Sequence, residues 1–223
     1  MILKLQFGRM AMAFQYSCFI SHRNHDQNEL ADRFIDDLCA ALRNELSMMT
    51  DADIFVDRKG MRGGQFIDPT LSHALCTSAC MVVVYTPVYF DLKKTYCARE
   101  YRAMEALETE RLKRVATPLA KQSGLIFPII LRGSLPNEIH QKRHFLDFKQ
   151  FSLIQRAISK NPKFEPAIRS LAEEICNRIA MLRAGGQDFT CDCENFQFPT
   201  EADVQPWLNT ITAPAPAFPN RAT

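Results

Sequence analysis

The sequence predicts an α/β fold of the flavodoxin-like type: a five-stranded, mostly parallel sheet in the order 2-1-3-4-5, with helices on both faces. Strand-length apolar runs alternate with helical patterns along the chain, and this alternation is typical of a parallel sheet covered on both sides. The third run, Cys80–Tyr85, shows no polar alternation, as expected of a central strand buried on both faces. Hydrophobic residues make up 47% of the chain, enough for a sizeable core.

Length, net charge and hydropathy favour a single-domain protein and argue against a nucleic-acid or membrane partner. The 223 residues fit one domain with some excess, and the net charge of +2 argues against an electrostatic nucleic-acid binder. No apolar run approaches the length that a bilayer requires. The apolar stretch over residues 1–13 is interrupted by Lys4, Gln6 and Arg9, so we interpret it as a leader into the first strand rather than a secretory signal. We therefore expect a cytoplasmic protein with no nucleic-acid or membrane partner.

The cysteines favour a reduced chain. Most of the eight lie inside apolar helical or strand patterns, which suits an intracellular protein better than a disulfide framework. Cys191 and Cys193 are the tightest pair, but no second pair or histidine lies nearby, so no zinc site is predicted.

The first strand and helix lie near the start of the chain. Phe14–Ser21 is an aromatic, β-rich run of strand length. A polar loop follows, and Asp26 is placed to cap a helix with Glu29 at the capping-box position. The apolar face of this helix repeats at helical spacing through Leu30, Phe34, Leu38, Leu42 and Leu46.

The next segment contains a strand, a basic loop and a helix. Asp53–Val56 is a short second strand, and residues 57–64 form a basic loop with three glycines. Asp68 then acts as an N-cap with Pro69 in the first turn of a helix that runs to about Thr77. The central strand Cys80–Tyr85 comes next.

The second half begins with the helix that carries Glu100, which continues to about Arg114. Leu125–Leu131 is the fourth strand, where Pro128 indicates an edge position or a bulge. Phe145–Phe148 is a short fifth strand.

A last helix and a tail complete the chain. The helix starts at Glu165, is stopped by Gly185-Gly186, and has an apolar face formed by Ile168, Leu171, Ile175 and Ile179. The chain thus divides into a leader (1–13), a domain (14–183) and a C-terminal extension (184–223). The extension contains a proline–alanine run, and we expect it to be partly disordered or packed on the domain, with Trp207 as its anchor.

The stretch after the central strand is the candidate site. In the predicted strand order the ligand crevice lies at the carboxyl ends of strands one and three, which places Glu100 beside it. Tyr96, Cys97 and Glu100 are spaced i, i+1 and i+4 and so share one side of the helix. Two interpretations stay open: a carboxylate that binds and polarises a ligand, or a helix-start acid that faces solvent.

The sequence argues against several other functions that occur on this fold. A phosphoreceiver needs an acidic cluster after strand one and an acceptor aspartate after strand three, where this chain has Tyr85-Thr86-Pro87. The glycine loop is no Walker A sequence and follows the wrong strand for a dinucleotide fingerprint. Cys97 lacks a base placed beside it by the sequence, which favours a packed cysteine over a nucleophile.

Four segments, in order, resemble the boxes of Toll/interleukin-1 receptor (TIR) domains. YSCFISHRNHD resembles their first-strand box, IFVDRKGMRGG their second strand and BB loop, TYCAREYRAM the box written W-C-x-x-E, and FLDFKQF their late strand segment. The resemblance spans about residues 14–183. Tyr96 stands where the family usually has tryptophan, and Ser17 replaces an acid common in the first box.

The resemblance implies an enzyme that cleaves NAD+ at the nicotinamide–ribose bond, an NAD+ glycohydrolase or ADP-ribosyl cyclase. Glu100 falls on the family's catalytic glutamate. NAD+ is then the substrate, with no cofactor and no metal. The residues that we assign to substrate binding come from the first-strand box, the BB loop and the Glu100 stretch, and they are Phe19, Ser21, His22, Arg23, Arg58, Lys59, Phe66, Tyr89, Tyr96 and Cys97.

The resemblance also implies a biological setting. The chain is similar to the TIR sensors of Thoeris-type antiphage systems, which suggests a product, ADP-ribose or a cyclic isomer, that signals to a downstream effector. TIR–TIR self-association is expected. A catalytically silent TIR adaptor and a nucleotide-sensing module remain alternatives, and the acid at position 100 favours the enzyme because an adaptor does not need it.

Overall fold

The strands form one parallel sheet in the order β2-β1-β3-β4-β5, which confirms the predicted fold class. The computed structural model describes residues 14–23, 29–56, 66–115, 122–151, 158, 161–185, 193 and 195–212. Its strands are β1 (Tyr16–His22), β2 (Asp53–Val56), β3 (Ser78–Tyr85), β4 (Ile126–Ile130) and β5 (Leu146–Asp147).

The helices cover both faces of this sheet. They are α1 (Glu29–Ser47), α2 (Ile67–Thr77), α3 (Tyr96–Lys113), α4 (Asn137–Lys142), α5 (Phe164–Ala184) and α6 (Glu201–Thr212). The helix α1 packs against α5, while α2 packs against α3 and α6 lies on α3. The predicted apolar face of α5 is confirmed, since Ile168, Leu171, Ile175 and Ile179 are all buried. On α1, Phe34, Leu38, Leu42 and Leu46 are likewise buried.

The strand β3 is the centre of the sheet. All of its residues are buried, and it pairs with β1 on one side and β4 on the other. The strand β4 is an inner strand in regular register with β3, so the edge or bulge predicted from Pro128 is wrong. The proline is tolerated because β5 is only two residues long and pairs with Ile129 and Ile130, just after it.

The start of α2 differs from the prediction. Phe66, not Asp68, occupies the N-cap position, and no side chain caps the helix there. Asp68 lies in the first turn, where its carboxylate binds the guanidinium of Arg99 at 2.6 Å. A long-range ion pair has therefore replaced the local cap that the sequence pattern favours. The predicted cap at Asp26 and Glu29 lies outside the part of the chain whose side chains are described.

One disulfide corrects the expectation of a fully reduced chain. Cys76 at the end of α2 and Cys193 beyond α5 are joined, with their Cα atoms 5.7 Å apart. The pairing could not be recognised locally because 117 positions separate the two cysteines. Cys18 and Cys80 are core thiols as predicted, and burial raises the pKa of Cys80 to about 12.

The extension beyond α5 is partly helical and packs on the domain. The helix α6 includes Pro206, and Val204 and Leu208 on its inner face are buried. Trp207 packs against Phe90 and Tyr101, so it acts as the anchor expected of it. Among the described residues no helix is both long and apolar enough to cross a bilayer.

Candidate active site

Glu100 is completely buried in the second turn of α3, at 0% exposure. It lies beside the carboxyl ends of β1 and β3, where the strand order reverses. The interpretation of Glu100 as a solvent-facing helix-start acid is therefore wrong. Removing a carboxylate from water costs several kcal/mol unless hydrogen bonds compensate.

A chain of two hydroxyl groups supplies such hydrogen bonds. Ser21 Oγ, from the end of β1, donates to Glu100 Oε2 at 2.5 Å. The same Ser21 oxygen lies 2.6 Å from the hydroxyl of Tyr89, which is in the turn after β3. A serine has one hydroxyl hydrogen, and here it goes to the carboxylate, so Tyr89 is the donor to Ser21. Three predicted site residues from separate segments are thus joined in one buried network.

Tyr89 is suited to this donor role. Its side chain is completely buried, and burial, with smaller contributions from nearby Cys97 and Glu100, raises the pKa of its hydroxyl well above the ordinary value. The hydroxyl therefore keeps its proton throughout the neutral range. Its ring is fixed by an edge-to-face contact with Phe90, whose centroid is 4.7 Å away.

Cys97 and Arg23, two further polar residues at this sheet edge, each donate to a backbone carbonyl. Cys97 Sγ donates to the carbonyl of His22 at 3.6 Å, which ties α3 to the end of β1. Arg23 donates to the carbonyl of Lys94 at 3.2 Å and lies 3.5 Å from the Asp91 carboxylate. These contacts place a cationic group beside the loop that leads into α3. The predicted role of His22, Arg23 and Cys97 in substrate binding stays a prediction.

Other predicted site residues lie apart from this network. Phe19 is in the core and stacks on Phe55 at 5.2 Å, while Phe66 is 81% exposed at the start of α2. Tyr96 is half-buried under the guanidinium of Arg99, 4.9 Å from its centroid. Arg58 and Lys59 lie outside the described residues.

Thr86 adds an unused polar group at the same edge. It follows β3 directly and is buried, and its hydroxyl has no hydrogen-bond partner in the described part of the chain. A buried polar atom without a partner is costly, so it is a natural contact for a ligand hydroxyl. The sequence gives no signal for this, because threonine is common at strand ends.

The site is closed in this structure. Glu100 has no exposed surface, and it does not line any of four cavities formed by described residues, whose volumes are about 440, 400, 200 and 530 Å³. The first lies between β4, β5 and α5, and the others lie along β2 or near the end of α1. A ligand can reach Glu100 only after the groups that cover it move.

Sequence reasoning missed Arg99, the neighbour of Glu100. Its guanidinium donates to the carbonyl of Pro199 at 2.5 Å and to the Asp68 carboxylate, and it lies 4.4 Å from the centroid of the Phe198 ring. An arginine in a helical pattern is normally interpreted as a solvent-exposed charge. The two hydrogen-bond partners of Arg99 lie 31 and 100 positions away in the sequence. No local pattern could have identified them.

Comparison with known proteins adds one structural likeness. No protein-family model matches the sequence, and no curated protein matches it. One similar solved structure is a TIR domain from the activated Roq1 resistosome directly recognizing the pathogen effector XopQ. The identity is 16% and the TM-score 0.38, over 78% of this chain and 98% of that chain. At those values the fold class rests on the strand order described above, not on the likeness.

Proposed function

We propose that this chain is a TIR-type NAD+ glycohydrolase or cyclase in which Glu100 is the catalytic carboxylate. The single observation that carries the proposal is the buried acid held by Ser21 and Tyr89 at the topological switch point of the sheet. Ligands of open α/β sheets bind at this edge. A desolvated acid in such a place, kept despite its cost, is a common mark of a functional site.

In the proposed reaction, the carboxylate of Glu100 lies against the hydroxyls of the nicotinamide ribose. As the bond between nicotinamide and C1′ breaks, positive charge develops on the ribose ring. A fixed negative charge in a water-poor site stabilises that oxocarbenium-like transition state more than it does the neutral sugar. Nicotinamide leaves with the bonding electron pair, and C1′ is captured either by water, which loses a proton to solvent, or by an atom of the same nucleotide. The product is ADP-ribose or a cyclic isomer.

Ser21 and Tyr89 prepare the acid in this mechanism. Hydrogen bonds from hydroxyl donors favour the charged form of a carboxylate and fix its direction. Ser21 contacts one oxygen, Oε2, and a ribose hydroxyl would donate to the carboxylate in the open state. Thr86, with its unused hydroxyl, is a further contact for the substrate.

The biological setting follows from the motif resemblance alone. An NAD+-consuming TIR protein fits an immune sensor that releases a nucleotide signal, as in antiphage defence. Self-association through TIR–TIR contacts and a downstream effector for the nucleotide belong to the same proposal.

A silent TIR adaptor is the second candidate, and the closed state of the site favours it. Glu100 is fully covered, whereas apolar side chains at the same sheet edge are exposed, among them Phe66, Ile67, Val88 and Leu92. Exposed apolar groups of this kind are typical of association surfaces. In an adaptor the buried acid would serve only to join β1 to α3.

Nicotinamide release from NAD+ separates the two candidates. We expect the parent protein to release nicotinamide at high protein concentration. In Glu100→Gln the rate of release should fall by about two orders of magnitude or more, since an amide cannot supply the negative charge. Glu110→Gln is the matched control, because it makes the same change at an exposed position of the same helix. Equal release from Glu100→Gln and the parent would remove Glu100 from the mechanism, and no release by any assembled form would favour the adaptor.

A further inference from the structure

The end of the described chain lies across the helix that carries Glu100. We call Cys193 and residues 195–212 the C-terminal strap. Its first contacts are with α2: the Cys76–Cys193 disulfide, and a hydrogen bond of 2.9 Å from Ser72 Oγ to the carbonyl of Phe196. Its last contacts are with α3, through α6.

The far end of the strap is held by aromatic packing. The indole of Trp207 stacks on the ring of Tyr101 at a centroid distance of 5.6 Å and an interplanar angle of 5°, and it meets the edge of Phe90 at 5.4 Å. The guanidinium of Arg102 also lies over the indole, 5.3 Å from its centroid. These contacts fix α6 against the second turn of α3.

The middle of the strap closes a cage around Arg99. Phe198 and Pro199 supply a ring face and a carbonyl, while α3 itself supplies the ring of Tyr96 and α2 the carboxylate of Asp68. Planar stacking combined with directed hydrogen bonds fixes a guanidinium in position and in rotation. The Arg99 side chain is buried as a result.

Arg99 and Glu100 are consecutive, so their side chains leave the helix about 100° apart. Arg99 points outward to the strap and Glu100 points inward to Ser21. Fixing Arg99 on the outside therefore limits rotation of the same turn, which is the motion that would turn the Glu100 carboxylate away from Ser21. We propose that Arg99 is a positioning residue for Glu100, and that the strap, fastened by the Cys76–Cys193 disulfide, is an integral part of the site. The catalytic consequence rests on the proposed function.

The fastening makes the site sensitive to thiol reductants. Cys76 is completely buried, whereas Cys193 is partly exposed, so an external thiolate attacks the Cys193 sulfur. The Cys76 thiolate leaves and takes up a proton. The second thiol of a dithiol reductant then breaks the mixed disulfide and protonates Cys193. Two electrons pass from the dithiol, which becomes a disulfide, and the strap is left held by its packing alone.

Hydrogen exchange tests the strap without reference to activity. We expect reduction with dithiothreitol to speed amide exchange in residues 99–104 by about tenfold or more, because the first turns of α3 lose their outer support. The helix α5 should change little. Cys193→Ser should exchange like the reduced parent with or without reductant, whereas Cys176→Ser, a change at a cysteine outside the disulfide, should respond like the parent. If amide exchange in residues 99–104 is the same in both redox states, the disulfide-fastened strap does not support the first turns of α3.

Nicotinamide release tests the positioning role. We expect Arg99→Ala to lower kcat by about tenfold or more with little change in KM, because a misaimed carboxylate still allows binding but loses transition-state stabilisation. Arg99→Lys, which keeps the charge but not the planar stacking, should recover part of the loss. Asn209→Ala, on the exposed face of α6, is the control.

The outcomes separate this proposal from the function on which it depends. If reduction speeds amide exchange in α3 but no form releases nicotinamide, the support of α3 by the strap is confirmed and the proposed NAD+ cleavage is wrong. If the parent releases nicotinamide at the same kcat when oxidised, when reduced and as Arg99→Ala, the enzyme stands and the positioning role is overturned.

Discussion

At the level of single side chains, the central feature is an acid that is fully removed from water and held by hydroxyl groups. Ser21 and Tyr89 lie 79 and 11 positions from Glu100 in the sequence, and each comes from a different loop or strand end. Their hydrogen bonds offset part of the cost of burying a carboxylate. The network therefore matters for folding whether or not it acts in catalysis.

Removing the hydroxyl that contacts the carboxylate should destabilise the fold. We expect Ser21→Ala to lower the free energy of unfolding by about 2–3 kcal/mol, since it removes a hydrogen bond to a fully buried carboxylate. Tyr89→Phe should cost less, about 1 kcal/mol, because Ser21 can still donate to the acid. Urea unfolding measures both. Tyr85→Phe, whose ring lies 6.2 Å from that of Tyr89, is the control, and a fully stable Ser21→Ala protein would contradict the account.

Topology predicted the location of Glu100 but not its bonds. The alternating strands and helices were enough to place the end of β1 and the start of α3 at one crevice. The direct contact of Ser21 with Glu100 could not be predicted, because it depends on the rotation of α3 about its own axis. Arg99 shows the same limit, since Asp68 and Pro199, which accept hydrogen bonds from its guanidinium, lie 31 and 100 positions away in the chain.

At the level of elements, α3 connects most of the features described above. Its first turns carry Arg99 and Glu100, and a later turn carries Glu108, the acidic member of a buried ion pair. Glu108 accepts hydrogen bonds from the guanidinium of Arg143 at 2.9 and 2.5 Å, and also from the backbone N–H of Leu125. Arg143 donates further to the hydroxyl of Tyr101 at 2.9 Å. This network joins α3 to the start of β4 and to the segment before β5.

Breaking this pair from one side should be costly. We expect Glu108→Gln to lower the free energy of unfolding by about 3 kcal/mol, because the largely buried Arg143 guanidinium then keeps only the more distant Glu105 carboxylate, at 3.5 Å, as a counter-charge. The double change Glu108→Leu with Arg143→Met should recover most of that loss. Denaturant titration of both proteins makes the comparison. Lys142→Met, which breaks an exposed ion pair with Glu138, should leave the free energy of unfolding unchanged. A loss of stability equal to that of Glu108→Gln would show that burial of the ion pair makes no difference.

Strong apolar patterns predicted the elements well, and weak ones did not. The bounds of β2 were predicted to the residue, and those of β3 and α5 to within two residues, because each is a clear apolar run or stripe. The helix α4 has six residues and was missed. The helix α6 was missed because Pro206 and the nearby proline–alanine run favour an extended chain, whereas packing of Trp207, Val204 and Leu208 outweighs that preference.

At the level of the whole molecule, several buried groups keep their protons in the folded state. Burial raises the pKa of Tyr101 to about 12, from an ordinary value of 10.0, and that of Cys80 to about 12, from 9.0. The pKa of Tyr89 is raised well above its ordinary value as well. Between the unfolded and folded values, the unfolded chain binds fewer protons than the native one. Stability is therefore fully present below about pH 9 and falls as the pH rises toward 12.

Alkaline unfolding tests this linkage. Each such proton contributes a slope of about 1.4 kcal/mol per pH unit while it differs between the two states. We expect the free energy of unfolding, measured with urea from pH 8 to 11.5, to fall above pH 9. Tyr101→Phe should show a shallower fall above pH 10, apart from any constant loss due to its missing bond with Arg143. If the free energies of unfolding of the two proteins fall in parallel with pH, Tyr101 does not contribute to the loss of stability at alkaline pH.

The most direct measurement of the central claim is a crystal structure of the protein with a non-hydrolysable NAD+ analogue. We expect the crevice at the ends of β1 and β3 to open and a Glu100 carboxylate oxygen to lie about 3 Å from a hydroxyl of the nicotinamide ribose. A saturated complex in which the analogue binds elsewhere and Glu100 stays covered would contradict the catalytic role of Glu100.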